Sequence, residues 1–235
     1  MIREALQYLI SQGQANILKE NGQAFSDKPL HLVENPTSKA MNVHTLSGLV
    51  GYLKSEFDGK DPVIVHVLSP TEVIVTSPLN GDAKRDYYIK AEALLPTFHF
   101  DRFYDTDKFN IKLQSVFVKN EDRDLMLKVV GNITEDQVKT VKDDGVSQAV
   151  VAKVGVASVG NVEVPNPVLL APYRTFLEVI QPESEFVFRM QSGPECALFE
   201  ADGGAWKNEA IDNIKGYLEA SLKDEIESNR ITIIA

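Results

Sequence analysis

The chain has 235 residues, 43% of them hydrophobic and 25% charged, an ordinary globular balance. Its single cysteine excludes an internal disulfide, and no run of about 18 apolar residues is present to span a bilayer. The net charge of −10, with no run of Lys or Arg, argues against direct binding to duplex DNA, because such binding rests on neutralising phosphates.

The opening MIREALQYLISQGQ has too short an apolar segment for a secretory signal, and Ile2, Ala5, Leu6, Leu9 and Ile10 recur at helical spacing. Residues 21–44, rich in Asn, Pro, Ser, Asp and Lys, read as a long extended arm with a short extended piece at Leu30–Val33. Residues 1–44 are therefore expected to form an N-terminal helix and arm, and 45–235 a single α+β domain. Thr45 is placed to cap a helix carrying Leu46, Leu49, Val50, Leu53 and Phe57 on one face, closed by Asp58-Gly59. Two β-branched runs follow, VIVHVLS from Val63 and EVIVT from Glu72, and Asn80-Gly81 turns the chain into a third strand over 85–94.

Thr106 or Asp107 is expected to cap a helix through Phe109, Leu113, Val116 and Phe117. From Asp122 to Val130 the pattern is ambiguous: Leu125, Leu127 and Val129 alternate, which favours a strand, yet Met126 and Val130 fill the other parity. A second hairpin is expected from Gln137 through Asp143-Asp144-Gly145 to the run after Val146. Residues 161–178 are extended but broken by Pro165, Pro167 and Pro172, as in an edge strand or a surface strap. Phe186, Phe188 and Met190 face inward from the next strand, Cys196 opens another, and a long helix runs from Gly204 or Ala205 to about Ser228 before a last strand at Ile231–Ile234. The expected fold is α+β, mostly antiparallel, with an N-terminal helix, one or two mid-chain helices and a long C-terminal helix followed by a short strand.

The residues offer little chemistry. Cys196 lies on a strand beside Glu195 with no histidine close in sequence, so it reads as a small buried hydrophobe rather than a nucleophile. Four histidines without His-x-x-x-His spacing and one cysteine make no zinc site. Asp101, Asp105 and Asp107 crowd one segment and could hold a hard cation, but they read rather as a solvated loop that caps the next helix. Asp202-Gly203-Gly204 lacks the Lys-Ser/Thr ending of a phosphate loop, but it leads into a helix whose free N–H groups favour anions. Asp202, Gly203, Gly204 and Trp206 are therefore the candidate ligand-binding residues. No catalytic residue, metal ligand or cofactor is expected.

Several stretches carry a resemblance: Val43-HTLSGLVGYLK with Val63-IVHVLSP, Tyr88-IKAEALLPTFHF, Val164-PNPVLLAPYRTFLEVIQPESEFVFRMQ and Ala197-LFEADGGAWKNEAI. Together they resemble the YfdQ-type proteins of tailed phages and prophages, especially the shorter versions in phages of Gram-positive bacteria. The resemblance spans most of the chain and implies a phage or prophage origin. It brings no catalytic residues to carry over. The expectation is a non-enzymatic protein of the host cytoplasm, outside the membrane, whose main partner is itself in a homo-oligomer. The alternatives are an accessory of phage recombination or replication, and a counter-defence protein that sequesters a nucleotide signal or blocks a host enzyme. A further phage or host protein partner fits any of these.

Overall fold

The structure, a computed structural model, describes residues 2–13, 15–20, 23–28, 39–81, 83–131, 142–143, 148–153, 159–163, 166–191, 193 and 195–235. The chain divides into two compact units, Met1–Ser38 and Lys39–Ala235.

The first unit holds helix α1 (Ile2–Gly13) and an antiparallel hairpin of β1 (Ile17–Glu20) and β2 (Gln23–Ser26), with Ile17 opposite Ser26. Asn16 and Asp27 close the open end of the hairpin. The Asn16 backbone N–H and side-chain amide donate to the Asp27 carboxylate at 2.8 and 2.7 Å. The helix matches its apolar spacing. The hairpin replaces the beginning of the expected arm, and its strands flank Asn21-Gly22, a hairpin dipeptide in its own right. The extended piece expected at 30–33 lies outside the described residues.

The second unit contains, in order, β3 (Met41–Val43), α2 (Leu46–Ser55), β4 (Val63–Ser69), β5 (Glu72–Thr76), β6 (Tyr87–Glu92), β7 (Tyr104–Asp105), α3 (Thr106–Val116) and α4 (Glu121–Gly131). It continues with β8 (Lys142–Asp143), β9 (Gln148–Lys153), β10 (Val159–Glu163), β11 (Val168–Leu170), β12 (Ser184–Gln191), β13 (Glu195–Glu200), α5 (Trp206–Ser221), α6 (Lys223–Glu227) and β14 (Ile231–Ile234). The fold is α+β with mostly antiparallel pairing. A five-stranded sheet has the order β14-β4-β5-β6-β3, and only its outer pairs, β14 with β4 and β3 with β6, are parallel. The chain reaches both edges late or early in sequence, so local hairpins build the centre and distant segments close the flanks. Met41–Val43, read from sequence as the end of the arm, is one of those flanks.

Alternation puts Val65, Val67, Val73, Val75, Ile89 and Ala91 on one face of this sheet. Leu46, Leu49 and Leu53 from α2 and Ile214 and Leu218 from α5 cover that face. Thr45 caps α2, its Oγ1 accepting from Gly48 N at 3.0 Å. The helix stops at Glu56 in the left-handed region, so Phe57 falls beyond it and is 83% exposed instead of joining the apolar face.

The second core lies under the sheet β11-β12-β13-β7, where Phe186, Phe188, Cys196 and Leu198 meet Phe109 and Leu113 of α3 and Met126, Val129 and Val130 of α4. Full burial of each such side chain contributes roughly 1.5–3 kcal/mol. Residues 121–131 are thus a helix and not the expected strand. Asn120 Oδ1 accepts from Arg123 N at 2.8 Å at its start. Met126, Val129 and Val130 at i, i+3 and i+4 are the residues that reach the core, so the Leu125/Leu127/Val129 alternation was coincidental. The cap of α3 is Asp105, which accepts from Lys108 N at 2.8 Å, one residue before the expected Thr106 and two before Asp107.

The second hairpin is present as β8 and β9, extended by β9 with β10 into a three-stranded antiparallel sheet. Its expected stretches at 137–141 and 144–147 lie outside the described residues. The long C-terminal helix is two helices. Buried Leu222, at φ −114° and ψ 27°, breaks the run although no Gly or Pro marks the place.

Candidate functional site

Residues 171–183 form a strap that passes from one core of the second unit to the other. Val168 and Leu170 lie in the core under β11, whereas Phe176 and Val179 lie in the core of the five-stranded sheet. Backbone bonds from Val118 N to Ala171 O and from Tyr173 N to Val116 O, both 2.8 Å, fasten its start. Its middle is organised by one buried amide. Gln181 Oε1 accepts from Arg174 N at 3.0 Å and Thr175 N at 3.2 Å, while its Nε2 donates to Phe176 O at 2.9 Å and Val179 O at 3.2 Å. Thr175 Oγ1 donates to Pro70 O at 2.6 Å, tying the strap to the β4–β5 turn. The tract YRTFLEVIQ therefore supplies the donors and acceptors that an irregular buried backbone lacks.

Arg174 stands where the strap meets α5. It is 8% exposed, and its guanidinium lies 3.9 Å from the Trp206 ring centroid and 5.6 Å from that of Phe186. It donates to Glu200 Oε1 at 3.0 Å and to the Ser184 hydroxyl. Burial pulls its pKa down to about 10, and the charges of Glu200 and Asp202 oppose that pull, so it remains a cation at neutral pH. Arg174 Nε and Trp206 Nε1 are buried without hydrogen-bond partners, and the cation–π contact between the two side chains is the interaction they make. Trp206, a candidate ligand-binding residue by sequence, thus holds this arginine.

The structure brings Asp202, Gly203, Gly204 and Trp206 together in one turn. Gly203 and Gly204 have φ of +63° and +84°, a region that favours glycine. Asp202 Oδ1 accepts from Gly204 N at 2.9 Å and Oδ2 from Trp206 N at 3.3 Å. The next donors, Ala205 N, Lys207 N and Asn208 N, bond to Asp202 O, Gly204 O and Ala205 O. The N–H groups expected to attract an anion are thus engaged by the chain itself, with the Asp202 carboxylate in the anion's place.

An open groove runs along the strap to Glu209 of α5, with about 1170 Å³ of free space, solvent included. Val118, Tyr173, Leu177 and Ile180 line it and Glu183 and Glu209 add negative charge. Leu177 and Ile180 are 64% and 77% exposed. Sequence reasoning missed this surface because the strap's inward and outward residues follow no fixed period.

Cys196 is fully buried, and burial pushes its thiol up to about 12. Asp105 is engaged as the α3 cap and as an ion pair with Lys108 at 2.7 Å. Among the described residues no group of three or more His, Cys, Asp or Glu is placed to hold a metal ion, and no helix is long and apolar enough to cross a membrane. In comparisons with family models, curated proteins and solved structures, none matches this chain.

Proposed function

We propose that the protein is a non-enzymatic, phage-encoded protein of the host cytoplasm that works by assembling with copies of itself. One observation carries this reading. Every residue of the Met1–Ser38 unit whose burial is described, 2–8, 13, 15–20 and 23–28, is exposed or half-buried, yet the unit is folded into a helix and a hairpin. Ile2, Leu6, Tyr8, Ile17, Leu18 and Phe25 are all more than half exposed. A helix of this length and a two-stranded hairpin are each marginal in water without a surface to cover. An apolar helix face and hairpin of this kind find a self-complementary partner in the same unit of another copy, with only Arg3 and Glu4 as charges on the helix.

The non-enzymatic part is supported by where the buried polar groups go. Arg174, Gln181 and Ser184 bond to the strap and its neighbours, and the buried thiol of Cys196 is held protonated. The phage origin is supported by the resemblance of the quoted stretches.

Sedimentation at micromolar concentration tests the assembly. A mass that is a multiple of the 26.1 kDa chain is expected. Leu6→Asp and Phe25→Asp, both at exposed positions, are expected to lower that mass without unfolding the second unit. A single 26.1 kDa species for the unaltered protein would refute the reading.

A further inference from the structure

At the C-terminal end of α2 lies a shallow cleft with about 430 Å³ of free space, open solvent included. Three aromatic side chains, Tyr52, Phe57 and Tyr88, line it together with Asp58 and Asp61. Phe57 belongs to neither apolar core and is 83% exposed, so the fold has no structural use for it. Tyr52 donates its hydroxyl to Asp58 Oδ2 at 2.7 Å. Burial foremost, followed by the nearby carboxylates, raises the pKa of both tyrosines, so they are neutral phenols in a negative field.

Among the described residues, the one cation that lines the cleft is engaged within the protein. Arg230 lines the same cleft, but it donates to Leu53 O at 2.9 Å and pairs with Glu56 and Glu225 at 3.7 and 3.8 Å. Lys60 holds Glu56 at 2.8 Å. Among the described residues neither Asp58 nor Asp61 has an ion-pair partner.

We propose that this cleft binds an organic cation, a guanidinium or an alkylammonium group, against the aromatic side chains and the carboxylates of Asp58 and Asp61. An anion would meet those two carboxylates. A hard divalent ion needs several oxygen ligands, and the described residues offer no such group. An organic cation uses both features of the cleft, the aromatic walls by cation–π attraction and the carboxylates by charge. The negative end of the α2 dipole favours the same sign. Two sources present this chemistry, an arginine or lysine side chain on another protein and a free polyamine.

Calorimetric titration of the full chain at low salt separates them, with spermidine in one arm and an acetylated, amidated Gly-Arg-Gly peptide in the other. Saturable binding of one probe per chain is expected in at least one arm. Spermidine binding alone identifies a polyamine site, and peptide binding a site for a partner's side chain. Asp58→Asn with Asp61→Asn is expected to weaken binding about tenfold. Phe57→Ala is expected to weaken it about fivefold at unchanged net charge. Asp212→Asn with Glu219→Gln removes the same charge from α5 and is expected to change nothing. The proposal is overturned if neither probe saturates at millimolar concentration, if Phe57→Ala has no effect, or if the two charge-removing pairs act alike. All variants are at exposed positions, and circular dichroism verifies that they fold. The result is independent of the assembly mass, since the cleft lies within the second unit.

Discussion

Cys196 shows what burial does to a residue that sequence singles out by rarity. Its thiol lies in the same buried core as Phe186, Phe188 and Leu198, and burial pushes it up to about 12. At pH 8 it is therefore a thiol and not a thiolate. Labelling by a disulfide reagent is expected to be negligible in the native protein and complete in denaturant; stoichiometric native labelling within minutes would contradict the burial. Arg174 is the opposite case, a residue that gains its importance only from its neighbours. Replacing it with alanine removes the Trp206 contact and leaves Glu200 and Ser184 without their donor. A loss of about 3 kcal/mol in urea unfolding is expected. Arg174→Lys should recover part of it, since an ammonium keeps the charge but not the planar stack.

Among the elements, the helices differ in how they begin, and this makes them separately testable. Thr45 caps α2 through its hydroxyl, so Thr45→Ala is expected to cost about 1 kcal/mol and Thr45→Ser very little, read from denaturant midpoints. Asp105 caps α3 as a carboxylate, and its bonds to the Lys108 side chain and backbone hold its pKa below the ordinary aspartate value. A carboxyl depressed in the folded state stabilises above its unfolded pKa, and that stability is lost as pH falls through the lower folded value. The capping contribution of α3 should thus persist at neutral pH and vanish in acid below the usual aspartate range. Asp105→Asn keeps a capping oxygen and should remove that acid dependence in NMR titrations of the α3 amides; an unchanged profile would rule out this role for the carboxylate.

For the whole molecule, the contrast between a unit with two apolar cores and a unit whose residues of described burial are all exposed or half-buried predicts uneven stability. Hydrogen exchange is expected to protect β4, β5 and β12 strongly at every concentration. Protection of α1 and the β1–β2 hairpin is expected only where the protein is concentrated enough to assemble, and to disappear on dilution. Equal protection of both regions at nanomolar concentration would contradict a role for other copies in holding the first unit.

Sequence by itself determined the α+β class, the helix at 2–13, the Thr45 cap, the strands through Val65, Val75 and Phe188, and the burial of Cys196. Each of these rests on a signal of period 2 or 3.6, or on a capping side chain, within about a dozen residues. The β1–β2 hairpin was not read from sequence, because the polar residues around Asn21-Gly22 gave the segment from residue 21 the look of an arm. Tertiary structure alone decided the rest. Residues 121–131 became helical because Met126, Val129 and Val130 had a core to reach. Leu222 broke a helix without a breaker residue. Asp202 filled the anion position of its own turn. Arg174 and Trp206, 32 positions apart in the chain (206 − 174), were brought into contact, as were Tyr52, Asp58 and Tyr88 around the α2 cleft. These outcomes depend on which distant groups fold onto one another, and a local pattern holds no information about a partner supplied by another part of the chain.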